Sequence, residues 1–168
     1  HATPALNAEF YARDERTDAF VLSHGRDILI LKIVGYAEDV IRYYGLEEVT
    51  AHVWIGHHRY PTRGRVVHPG GAHPFGQGID SALVHNGDFS NYVSVTDYLA
   101  QRGMEPLFFT DTEVGALVFD LHRRVYGYKM EHVIESLAPT SELDYIMLPE
   151  DKQEVYSAIQ RTHIHGSP

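Results

Sequence analysis

Apolar runs of strand length crowd the first half of this chain, and runs with helical spacing dominate the second. DAFVLSHG (residues 18–25) and DILILKIVG (27–35) are apolar stretches separated by a short polar turn at Gly25, Arg26 and Asp27. Together they read as a β-hairpin. AHVWIGHH (51–58) reads as a further strand, with Val53 and Ile55 on one face and His52 and Trp54 on the other. SALVHNG (81–87) reads as a short buried strand. Strands grouped ahead of helices argue for an α+β fold rather than for alternating βαβ units.

The helical signals are local and specific. In AEDVIRYYGL (37–46), Val40, Ile41 and Tyr44 share a face, and Gly45 suits a C-cap. Asn91 can cap YVSVTDYLAQRG, with Val95, Tyr98 and Leu99 inward and Gly103 ending it. Thr110 can cap DTEVGALVFDLHRRVYG, and Glu113 stands where a capping box needs it. Val114, Leu117, Val118 and Leu121 form that helix's apolar stripe, and Gly127 stops it. Residues 129–137 and 150–161 read as further helices. Between Pro61 and Gly78 the chain has no apolar period and reads as one long loop, a length that usually signals function.

Composition removes several classes of function. The 168 residues suffice for about one domain, and a net charge of −9 leaves no basic footprint for nucleic acid or polybasic patch for a membrane. No apolar run approaches the roughly 20 residues of a spanning helix. A cytoplasmic location is the default expectation. The absence of cysteine excludes disulfides, thiolate metal sites and a thiol nucleophile within these residues. The chain opens on His1 without an initiator Met and closes on HIHGSP, so both ends read as cut from a longer polypeptide.

Candidate site residues gather where apolar runs give way to polar clusters. Arg59 follows one strand-like run, and its guanidinium fork suits a carboxylate or phosphate, or an acidic surface neighbour. Asn86-Gly87 ends another. That dipeptide is the commonest hairpin turn, but an Asn amide and a Gly N–H can also converge on one oxygen as an oxyanion hole. Asp111 falls in the first turn of a helix, where the dipole favours a carboxylate whether or not a ligand ammonium is its partner. His57, His58, His68, His73 and His85 crowd the same region, yet their spacing matches no standard zinc arrangement, so no metal or other cofactor is expected.

Taken together, GHHRYPTRG, HPFG, ALVHNGDFSNY and FFTDTEVGALVFDL resemble the class II glutamine amidotransferase domain, a member of the N-terminal-nucleophile (Ntn) hydrolases. The four motifs keep the family's order and spacing from about Val53 to Leu121. The run SHGRDILILKIVGYAEDVIRYYGLEEV with WIGHHRYPT is most similar to glutamate synthase-like members. The resemblance implies a four-layer αββα sandwich, two antiparallel sheets between helix layers. It also implies hydrolysis of L-glutamine to glutamate and ammonia, with the ammonia passed to a synthase domain or subunit. Carried over by motif, Arg59 would bind the substrate α-carboxylate with help from Thr62, and Asp111 would hold the α-ammonium. Asn86 and Gly87 would form the oxyanion hole, and His73 would support the site.

One departure governs activity. The family's nucleophile is an N-terminal cysteine whose own amine serves as base, and this chain has no cysteine. Arg63 also stands where some members carry His. The expectation is a single amidotransferase domain over residues 1–168, a fragment without the strand that bears the nucleophile and inactive alone. The alternatives are a catalytically inactive amino-acid-binding or assembly module, and a His-based metal hydrolase.

Overall fold

The computed structural model describes residues 6–7, 9–10, 21–22, 25–58, 69–78 and 80–161. Backbone contacts divide the chain into two compact units, His1–His85 and Asn86–Pro168. Among the described residues the elements are helices and one two-stranded antiparallel sheet, an α+β content.

In the first unit, helix α1 spans Ala37–Tyr44. The Asp39 carboxylate accepts from the Tyr36 N–H at 2.9 Å, satisfying a donor that the helix itself leaves open. Gly45 ends the helix with φ 61°, a left-handed cap open to glycine without strain. The Tyr44 hydroxyl donates to the Lys32 carbonyl at 2.8 Å, tying α1 to the apolar run before it.

That run differs from the expected hairpin. Residues 21–22 and 25–34 lie in no strand, and most of the first hairpin arm falls outside the described residues. Period-2 burial persists nonetheless, with Ile30 and Lys32 turned inward and Leu29 exposed. Residues 51–58 also lie in no strand, and Val53, Trp54 and Ile55 are all exposed rather than divided between two faces. Alternation sets which side chains align, but a strand also requires a backbone partner, which the pattern does not name.

The sheet that does form pairs β1 (Phe75–Gln77) with β2 (Ser81–Leu83), placing Phe75 opposite Leu83 and Gly76 opposite Ala82. β2 is the shortened form of the expected 81–87 strand. β1 lies inside the stretch read as loop, because three residues centred on glycine carry no legible period. The glycine serves packing: a Cβ at Gly76 would stand 2.6 Å from Ile30 Cδ1.

The second unit is helical: α2 (Tyr92–Ala100), α3 (Asp111–Asp120), a π turn (Leu121–Val125), α4 (Met130–Leu137), α5 (Glu142–Tyr145) and α6 (Glu150–Gln160). Its core joins Phe89, Val95, Leu99, Val114, Leu117, Val118 and Leu121, which includes every residue of the expected α3 stripe. Gly103 and Gly127 both take φ 69° just beyond helical segments. Asn91 occupies the N-cap of α2, although its side chain makes no capping bond. Helix α5 was not anticipated; Ser141 begins it by accepting from the Asp144 N–H at 3.3 Å. Buried Glu135 joins α4 to α6, accepting from the Thr140 N–H at 3.1 Å and from Gln160 Nε2 at 2.6 Å.

Candidate functional site

Asp111 is the first residue of α3 and is buried, with 8% of its surface exposed. Its Oδ1 accepts from the Thr112 N–H at 2.7 Å and from the Thr112 hydroxyl at 3.3 Å. Thr110 caps the helix as expected, its Oγ1 accepting from the Glu113 N–H at 3.2 Å. The other half of the expected capping box is corrected. The Glu113 carboxylate passes over the N-cap residue and accepts from the N–H groups of Leu107 at 2.7 Å and Phe108 at 2.8 Å. Between those anchors and Thr110, Phe109 takes φ 56° with 53% of its surface exposed. A bulky residue rarely adopts the left-handed region, and held strain of this kind clusters at ligand sites.

Asn86 and Gly87 are exposed three and four residues past the end of β2. Among the described residues no strand follows them, and the next element is helix α2. The pair is therefore not the turn of a β-hairpin, which was the plainest reading of the dipeptide. Asn86, Gly87 and Asp111 share the second unit. Arg59 and Thr62 lie outside the described residues.

His73 belongs to the first unit, between the 3₁₀ turn Pro69–Gly71 and β1. Its ring lies 4.1 Å from that of His57 and 5.8 Å from that of Phe75, centroid to centroid. Buried Lys32 sits over the Phe75 ring at 4.2 Å and donates to the Gly70 carbonyl at 2.9 Å, anchoring the loop on which His73 stands. Among the described residues no three His, Asp or Glu side chains converge as metal ligands. Nor, among them, is any helix long and apolar enough to cross a membrane.

A polar aromatic cluster in the second unit escaped the sequence reading. The Arg102 guanidinium stacks 3.6 Å over the Tyr98 ring and donates from Nε to the Tyr126 hydroxyl at 2.6 Å. The π turn brings His122 inside, where its ring lies 5.8 Å from Tyr126 and 5.2 Å from Tyr128. Burial, assisted by the Arg102 charge, lowers the His122 imidazole to about 4. Its trace in the sequence is the HRRVYGY run, which places His122, Tyr126 and Tyr128 within seven residues.

No family model matches the chain, and no solved structure matches it. Curated relatives do. The chain is 36% identical over 150 residues to an uncharacterized protein of Archaeoglobus fulgidus, covering 87% of this chain and 38% of that one. It is 36% identical over 101 residues to the glutamine amidotransferase-like protein GlxB of Rhizobium meliloti, covering 60% of this chain and 33% of the relative. It is 35% identical over 124 residues to the amidophosphoribosyltransferase of Methanothermobacter thermautotrophicus, covering 71% of this chain and 25% of the relative. The chain thus spans well under half the length of each of these relatives.

Proposed function

Because this chain is related in sequence to the class II glutamine amidotransferases, we propose that it carries the glutamine-recognition side of such a domain. A zwitterionic amino acid needs a cationic fork at one end and a carboxylate at the other. Arg59, with the Thr62 hydroxyl, binds the α-carboxylate, and Asp111 binds the α-ammonium. Asn86 supplies a side-chain amide and Gly87 a backbone N–H to the oxyanion that forms when a thiolate attacks the glutamine carboxamide. His73 has a supporting role. Collapse of the tetrahedral adduct expels ammonia and leaves a thioester, which water then hydrolyses to glutamate.

The observation that carries this reading is the helix after Asn86-Gly87. Without a hairpin to close, that dipeptide keeps its donors for another purpose, and the buried Asp111 carboxylate lies in the same compact unit. In this reading residues 1–168 form one cytoplasmic domain of αββα sandwich type, glutamate synthase-like, handing ammonia to a synthase domain or subunit. The 168 residues hold no cysteine, so they do not hydrolyse glutamine unaided. Ammonia release is expected only from a polypeptide that brings a cysteine to the site, and Cys→Ala should abolish it. Glutamine hydrolysis by the 168-residue chain alone would sink this assignment of the nucleophile.

The absence of cysteine also supports a second reading, a module that binds an amino acid without turning it over. That module would bind glutamine or glutamate and lose the binding on Arg59→Ala. It would stay inactive as a full-length gene product.

A further inference from the structure

We propose that Glu113 is the positioning residue for the ammonium-binding carboxylate of Asp111, an inference that rests on the amidotransferase reading above. In an ordinary capping box, a Glu at this helical position reaches back to the N–H of the N-cap residue and stabilises only the helix end. Here the carboxylate reaches further, to the N–H groups of Leu107 and Phe108 at 2.7 and 2.8 Å, while the Glu113 backbone N–H meets Thr110 Oγ1 at 3.2 Å. One residue thus pins both ends of the loop that delivers Asp111.

Three further features fit this role. Glu113 is 4% exposed, so its charge-assisted bonds operate out of water and are not an incidental surface contact. Phe108 and Thr110, on either side of the strained residue, are only 1% and 4% exposed. Phe109 between them holds φ 56°. A left-handed phenylalanine persists only where the surroundings over-determine it, and the Glu113 clamp supplies that constraint. Asp111 then enters the helix with Oδ1 set against Thr112. Releasing the clamp lets residues 107–110 relax and turns the carboxylate away from the substrate's amino group.

The test compares two ligands that differ only at that end: L-glutamine, and 4-carbamoylbutanoate, which is glutamine without its α-amino group. Calorimetry on the 168-residue chain gives the ratio of their affinities. The wild type should prefer glutamine, and Asp111→Asn should erase the preference. Glu113→Ala should cut it by about tenfold, the scale of a misplaced charge-assisted contact, while affinity for 4-carbamoylbutanoate stays within about twofold of the wild type. Glu113→Gln keeps one acceptor oxygen for the two N–H groups and should fall between wild type and Ala; it carries the test if the alanine variant does not fold. A folded Glu113 variant with full preference overturns the proposal, as does an equal loss of both ligands, which would mark a purely structural role. A wild type that binds no glutamine, or an Asp111→Asn variant that keeps its preference, overturns the underlying site reading instead.

Discussion

His122 donates its Nδ1 proton to the Ser136 hydroxyl across 3.0 Å, linking the π turn after α3 to helix α4. Ser136 itself sets the direction of that bond. Its one hydroxyl proton goes to the Val133 carbonyl at 2.7 Å, leaving only lone pairs for the imidazole. When neutral, the ring is therefore held in its Nδ1–H tautomer.

A histidine lowered to about 4 by burial, and secondarily by Arg102, makes stability depend on pH. In the unfolded chain the same group takes its proton near pH 6.5. Between these values the unfolded state binds more protons. Stability is therefore full above about pH 6.5 and falls as pH drops towards 4, by on the order of 3 kcal/mol from this group. The rings of Tyr126 and Tyr128 also face the imidazole. Denaturant unfolding across the window should show the loss, and His122→Gln should flatten it. An unchanged slope in the variant would assign the acid sensitivity to other groups.

Tyrosine ionisation offers a second pH measurement. The Tyr126 oxygen receives hydrogen bonds from the Tyr98 hydroxyl at 3.3 Å and from Arg102 Nε at 2.6 Å. Tyr126 is lowered, first by the bond from Tyr98 and then by Arg102, because both donors favour its phenolate. Tyr98 is pushed up to about 12, first by burial and then by donating to Tyr126. Ultraviolet titration should find an early-ionising tyrosine that moves upward in Arg102→Ala. An unmoved titration would remove Arg102 from this role.

Phe109→Gly should stabilise the protein. The left-handed conformation costs a residue with a Cβ about 1–2 kcal/mol, and glycine returns part of that gain as unfolded-state entropy, roughly 0.5–1 kcal/mol. The exposed ring gives up little packing, so a net gain of up to about 1 kcal/mol is expected in denaturant melts. Destabilisation would mean that the Phe109 side chain holds the loop through contacts of its own.

Asn86→Ala should lower kcat by about 10²–10³, the usual effect of losing one oxyanion donor, with KM little changed. The measurement requires a polypeptide that supplies the cysteine nucleophile together with these residues. An effect confined to KM would place Asn86 on the ground-state substrate rather than on the oxyanion.

Apart from α5, the helices of the second unit were legible because their determinants are local. Thr110 caps α3, Val114, Leu117 and Val118 repeat at helical spacing, and Gly103 and Gly127 stand where left-handed residues end helical segments. Each depends on neighbours within about one turn, so a short window of residues is enough to decide it. The resemblance to the glutamine amidotransferases rests on linear runs of residues and was equally readable.

Folding in three dimensions decided the rest. Strand pairing depends on a backbone partner that the apolar pattern does not name, so β1 emerged from an apparent loop by pairing with nearby β2, while residues 51–58 joined no ladder. The π turn, which removes His122 from solvent, answers to packing against α4 rather than to any preference within HRRVY. The Glu113 carboxylate could have closed a capping box at Thr110; its reach to Leu107 and Phe108 depended on where the folded loop placed those N–H groups. Capping and helical periodicity are encoded where they form, whereas which N–H groups meet a buried carboxylate, or which backbone an extended segment pairs with, is settled only by the path the folded chain takes.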